Sequence, residues 1–260
     1  MRYRAVISYF GKNYVGWQRQ LNGLSVQEVL GKALTAVFGT PTQATASGRT
    51  DAGVHADGQV VHFDADTSIP PEKIPFAINT ELPDDVSMLS CEPVADTFNA
   101  RFSAKRKTYC YKLYVSRHRK PMLGETRAHI VVPLDVAAMR ECAGIIEGEH
   151  DFRCFEASGS VVVNTVRTVY RVQIDAEGTF LPDGRLSDGN VEIYVTGNGF
   201  LYNMVRIIAG TLVYVGTGKM TADDVREVLA TGDRTRAGKT LPPQGLTLVS
   251  VEYDDADGTL

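Results

Sequence analysis

The chain is poor in the residues that mark specialised protein classes. Its four cysteines, Cys91, Cys110, Cys142 and Cys154, lie far apart, with no C-x-x-C pair and no histidine at ligand spacing. That pattern offers neither a zinc ribbon nor a disulfide framework, so the thiols are expected to be reduced and buried. Long hydrophobic runs are missing too. The longest, Ile207–Val215, is broken by Gly210 and Thr211 and falls far short of the roughly 20 apolar residues of a membrane span. Met1–Ser8 has two early arginines but no long apolar run and no small-residue cleavage site, which predicts no secretion signal. G-x-S-x-G, Walker A and intact G-x-G-x-x-G fingerprints are absent, so hydrolase and nucleotide-cofactor readings lack their signatures.

What is present is an ordinary globular composition, 43% hydrophobic and 22% charged over 260 residues, with a net charge of −4. Such a balance argues against indiscriminate coating of nucleic acid. Charge is nevertheless segregated. Between Arg101 and Lys120 stand eight Lys or Arg residues (Arg101, Lys105, Arg106, Lys107, Lys112, Arg117, Arg119, Lys120) and no acid, whereas Glu252–Asp257 holds four acids. A basic patch on an acidic protein can bind phosphates, and it can equally be a solvated face.

Periodicity predicts strands at 3–10, 59–64 and 86–94, and a helix opening at Ser25 with Glu28 as a capping pair and stopped by Gly39-Thr40-Pro41. A second helix is predicted over 71–80. The second half repeats the rhythm: strand 108–115, helix 135–146, strands 166–174 and 191–196 with turns at Asp183-Gly184 and Asp188-Gly189, helices 200–215 and 222–230, and a last strand 246–253. The plan expected of each half is strand, helix, strand, strand, helix, strand. The expectation is an α+β fold of two ferredoxin-like (split βαβ) subdomains, residues 1–104 and 105–260, with antiparallel sheets side by side and a cleft between them.

The richest segment is Ser47-Gly48-Arg49-Thr50-Asp51-Ala52-Gly53-Val54-His55-Ala56. Its glycines let the loop turn tightly and present a side chain. Arg49 and Asp51, two apart, project to one side of an extended backbone, where a guanidinium can hold the carboxylate ionised. Such a carboxylate can be a nucleophile, a general base or a metal ligand, and it can also simply close an Asx turn. His55 and His62 are too far apart in kind and sequence to make a convincing metal site with it, so no metal is expected.

This segment resembles the catalytic motif of the tRNA pseudouridine synthase A family. Further blocks agree in order: Gly16-Trp17-Gln18-Arg19-Gln20; Phe98-Asn99-Ala100-Arg101-Phe102-Ser103-Ala104 running into Tyr109 and Tyr111; Asn198-Gly199-Phe200-Leu201-Tyr202-Asn203-Met204-Val205-Arg206; and Gln244-Gly245-Leu246. The chain departs from the family in placing Phe10 where an acidic residue commonly precedes the glycine. The resemblance implies that Asp51 is the nucleophile, with Arg206 as its partner and Arg49 guiding or filling the gap left by the flipped uridine. It implies that Tyr109 stacks on the base and that Leu246 closes the pocket. It further implies a cofactor-free isomerase of the tRNA anticodon stem-loop, at positions 38, 39 and 40, working as a cytoplasmic homodimer without a membrane. Lys105, Arg106, Lys107, Arg117, Arg119 and Lys120 would then touch the RNA backbone. The polar stretch 178–190 has no assigned role.

Overall fold

The computed structural model describes residues 1–159 and 162–254. Asp255 and Asp257 of the acidic tail lie outside the described residues. In chain order the elements are β1 (Arg2–Tyr9), α1 (Val26–Phe38), β2 (Thr45–Ala46), β3 (His55–Asp64), α2 (Ile74–Asn79), β4 (Val86–Val94), β5 (Arg106–Val115), β6 (Ala128–Ile130), α3 (Val136–Ile146), β7 (Gly148–Asp151), β8 (Val166–Phe180), β9 (Leu186–Gly197), α4 (Met204–Gly216), α5 (Ala222–Thr231) and β10 (Leu246–Glu252). The fold is α+β, and the chain divides into two compact units.

The first unit comprises Met1–Lys107 and the chain from Leu248. Its strand order is β4-β1-β3-β10, with β2 added on β3. β1 is antiparallel to both neighbours and buries Tyr3, Ala5, Ile7 and Tyr9 on alternate positions, as a strand with one covered face must. α1 begins where the Ser25 hydroxyl accepts from Glu28 N and ends on left-handed Gly39. It buries Val26, Leu30, Ala33 and Leu34, and its last residue, Phe38, packs 5.8 Å from the Phe63 ring of β3. Each fully buried leucine stabilises by about 1.5–3 kcal/mol.

A division at 104/105 leaves the last strand in the second half, yet β10 returns to the first unit. Its approach to β3 needs Gly58, where a Cβ would sit 2.3 Å from Val249 O. The return also closes a core: Val60, Val94, Phe98 and Ala100 are packed by Val6, Val251 and Tyr253, and the Tyr253 hydroxyl donates to Ala100 O at 2.7 Å.

In the second unit, Thr108–Thr247, the order is β5-β9-β8-β7, and short β6 runs parallel to β5. α4 is apolar nearly all round and correspondingly buried. At Gly210 a Cβ would meet Lys239 O at 1.9 Å, so the strap that follows α5 lies directly on the helix backbone. Thr211 fastens it, accepting from Gly238 N at 2.8 Å.

Three local expectations change. The predicted helix 71–80 is a 3-10 turn, Pro71–Lys73, followed by the short α2. Asp188-Gly189 is not a turn: β8 and β9 continue to the bend at Asp183-Gly184, and Gly189 pairs with Gly178. A Cβ on either glycine would fall 2.1–2.2 Å from a carbonyl of the facing strand, so two glycines read as punctuation are a close backbone crossing. α4 starts at Met204 rather than 200, because Asn203 adopts φ 61, the only positive φ outside glycine among the described residues. No helix among the described residues is long and apolar enough to cross a membrane.

Candidate active site

In the first unit, Asp51 is half-buried on a loop fastened along its length. Its backbone pairs with Gly16 as an isolated antiparallel bridge, and Trp17 N donates to Thr50 O at 3.0 Å. Gly16 has φ +110, and a Cβ there would lie 2.6 Å from Thr50 O, so only glycine lets the two segments meet. The same segment is tied to the first turn of α1 by Val26 N to Gly16 O and Gln27 N to Trp17 O. The Gly-Trp-Gln block is thus the frame on which the Asp51 loop rests. After Asp51 the chain reverses through Val54 N to Asp51 O at 3.1 Å, with Gly53 at φ +78.

Beneath the loop runs a buried polar network that the sequence did not announce. The Tyr9 hydroxyl and Thr50 Oγ1 are 2.7 Å apart, and burial pushes the Tyr9 phenol up to about 12. Ser47 Oγ donates to Gln59 Oε1 at 2.7 Å, while Gln59 Nε2 donates to Gly48 O at 2.9 Å. Such groups cost free energy when buried unless bonded, and here each bond also fixes the loop. The available signal was polar Gln59 directly before the Val60-Val61 pair of a strand.

The two histidines are structural. His55 is buried, accepts from Gly11 N at its Nδ1 (3.0 Å) and stacks on Phe10 at 4.6 Å. His62 Nδ1 accepts from Ala100 N at 3.1 Å, and burial lowers its pKa. Among the described residues no group of three His, Cys, Asp or Glu could hold a metal ion. All four cysteines are free and buried, and burial pushes the Cys91, Cys110 and Cys154 thiols up to about 12.

The second unit carries Tyr109, Arg206 and Leu246. Tyr109, buried on β5, meets Phe200 edge-on at 5.3 Å. Arg206 stands in the first turn of α4, where its Nε donates to Leu241 O at 2.7 Å and its Nη1 to Asn203 Oδ1. Left-handed Asn203, which the sequence reading passed over, therefore both opens the helix and grips the arginine. The strap leading to Leu246 is held by the Tyr111 hydroxyl, donating to Pro242 O at 2.7 Å. Burial raises the Tyr111 pKa, and the Arg206 charge opposes that rise. A Cβ at Gly245 would lie 2.7 Å from the Tyr111 ring, so the Gln-Gly-Leu block passes against this aromatic.

The basic residues part company. Arg49, Arg117 and Arg119 are exposed. Lys105 pairs with Asp254 at 2.9 Å, Arg106 with Glu252 at 3.9 Å, and Lys120 with Asp188 at 2.7 Å, all at solvent-exposed sites where an ion pair is worth about 0–1 kcal/mol. Basic run and acidic tail thus meet in the fold. Lys107 differs: it is half-buried, and its Nζ donates to Ser47 O at 2.6 Å rather than pairing with a carboxylate.

A family model described as tRNA pseudouridine synthase matches residues 5–103 and 143–254. A protein of Ruminiclostridium cellulolyticum named tRNA pseudouridine synthase A is 46% identical over 250 residues, 96% of this chain and 98% of its own length. Proteins of the same name from Thermoanaerobacter sp. strain X514 (46% identical; 95% and 98% covered) and Bacillus velezensis (44% identical; 98% and 100% covered) match as extensively. With a family match over most of its length and relatives this similar from end to end, the chain belongs to the tRNA pseudouridine synthase family, isomerases that act on tRNA uridine.

Proposed function

We propose that this enzyme isomerises uridine in the anticodon stem-loop of tRNA, at positions 38, 39 and 40, with Asp51 as nucleophile. The observation that carries the reading is a half-buried carboxylate on a loop whose backbone is bonded on both sides, to Gly16-Trp17 and through the turn to Val54. A group so fixed spends little entropy in reaching its target. A base inside a stem is out of reach of such a loop, so the uridine is flipped out first. The glycosidic N1–C1′ bond then breaks, the uracil turns, a C5–C1′ bond forms at the same ribose carbon, and the proton lost from C5 is matched by one gained at N1. Substrate and product are isomers, so the net step needs no oxidant or reductant.

In this reading Arg206 is the partner that keeps Asp51 charged, Tyr109 stacks on the base, and Leu246 limits the pocket. Exposed Arg49 guides the flipped nucleotide or fills its place. Lys105, Arg106, Arg117, Arg119 and Lys120 contact phosphates, the paired ones by exchanging a carboxylate for the backbone. Two ferredoxin-like units with the reactive cleft between them, a homodimer and a cytoplasmic site of action complete the proposal. The test is incubation of Asp51→Asn and Asp51→Ala with unmodified tRNA, followed by pseudouridine mapping. Turnover should fall by on the order of 10⁴ or more with tRNA affinity nearly intact. Full activity in either variant removes the reading, and modification mapped outside the anticodon stem-loop removes its substrate half.

A further inference from the structure

Lys107 is half-buried, where its basic neighbours Lys105 and Arg106 are exposed. It enters β5 as the last of three consecutive basic residues, and its neighbours Lys105 and Arg106 have carboxylate partners in solvent. Its own ammonium turns inward. Among the described residues no carboxylate pairs with it, and the nearby charge is the like charge of Arg101. Its partner is Ser47 O, 2.6 Å away, the carbonyl that opens Gly48-Arg49-Thr50-Asp51. The fit is close on the other side as well, since a Cβ at Gly48 would lie 3.1 Å from Nζ.

Burying an ammonium against a neutral carbonyl is a poor way to stabilise a fold. A methionine of similar length would pack there without the desolvation cost. What the lysine adds is a charge-assisted hydrogen bond at one place, the root of the Asp51 loop. The other fasteners of that loop, Gln59 on Gly48 O and Tyr9 on Thr50, leave the Ser47 carbonyl unheld. The Ser47 amide and hydroxyl point to β3, through Val60 O and Gln59. Lys107 therefore closes the remaining degree of freedom.

We propose that Lys107 is a positioning residue: by holding the Ser47 carbonyl it sets the height of the Asp51 loop, rather than contacting RNA. The proposal rests on Asp51 being the reacting group. A carboxylate displaced by about 1 Å loses up to about a hundredfold in rate, while the binding surface is unchanged.

The experiment compares full-length Lys107→Met and Lys107→Arg with the parent enzyme on one unmodified tRNA, measuring kcat, KM, tRNA dissociation constant and its salt dependence. Lys107→Met is expected to lower kcat about ten- to hundredfold, with KM, affinity and salt slope within about twofold. Lys107→Arg, which keeps donor and charge, should recover part of that loss. Wild-type kcat in Lys107→Met overturns the proposal. So does weaker tRNA binding with a shallower salt slope and unchanged kcat, the signature of a phosphate contact. Should Lys107→Met fail to fold by circular dichroism, Lys107→Leu, which likewise removes the donor, carries the same measurements and the same two overturning results. Asp51→Asn in parallel separates the readings: an inactive Asp51→Asn beside a fully active Lys107→Met sinks positioning alone, whereas an active Asp51→Asn sinks the nucleophile.

Discussion

The two units hold their candidate site residues by opposite means. In the first, Asp51 sits on a loop without regular structure, and its place is set by bonds to other segments: Gly16-Trp17 above, Tyr9, Gln59 and Lys107 beneath. In the second, Arg206 stands on a buried helix whose own backbone sets its height, and its guanidinium donates to Asn203 and Leu241 O among its contacts. A loop gains precision from many partners distant in sequence, whereas a helix supplies it locally and needs one or two. The carboxylate should therefore be vulnerable to changes in its frame, and the arginine mainly to changes at its cap.

Beyond the loss expected of Asp51→Asn, the comparison breaks most sharply at Gly16. Gly16→Ala puts a Cβ 2.6 Å from Thr50 O at φ +110, so it should cost more than about 2 kcal/mol in denaturant unfolding and at least about tenfold in kcat. A variant that keeps both would show that the frame does not set the loop. Next comes Asn203→Gly, which relieves the left-handed backbone but removes the bond to Arg206. Unfolding free energy should stay within about 1 kcal/mol while kcat drops about tenfold. If stability and not turnover is what falls, Asn203 is only a cap.

The smallest effect is in the pH dependence of stability. Burial, with the Arg101 charge, lowers Lys107 to about 8 from its ordinary 10.5. Between those values the unfolded chain holds a proton that the folded chain has released, so this group makes stability rise with pH across that window. Below about pH 8 both states hold the proton and the folded protein carries the whole cost. The other titratable groups facing the same loop, Tyr9 and Tyr253, are phenols whose pKa burial raises, so their titration adds nothing near pH 8. Denaturant titrations at several pH values should show the difference between Lys107→Met and the parent shrinking from pH 7 to 10. A constant difference would mean that Lys107 titrates normally.

Much of the fold was legible because its signals are local. The Ser25 cap, left-handed Gly39 and the Thr221–Asp224 capping box mark helix ends where the sequence placed them. Alternation in β1 and β4 also reads directly. Elements bounded by backbone strain were misplaced: α4 is shortened by Asn203, and Gly178 and Gly189 serve a crossing that no single strand reveals. Asp51 was visible as a motif. The part that Tyr9, Gln59 and Lys107 play in holding its loop was not, because each acts through a carbonyl or hydroxyl distant along the chain.

By itself the sequence determined the class of protein, most of its helices and longer strands, and the candidate segments for its chemistry, since capping, periodicity and motif spacing are properties of neighbouring residues. Tertiary structure alone decided that β10 completes the first unit and that three adjacent basic residues divide into two solvent pairs and one half-buried lysine bonded to a loop carbonyl. Side-chain burial depends on which distant backbone group arrives to meet it, and no local pattern records that arrival.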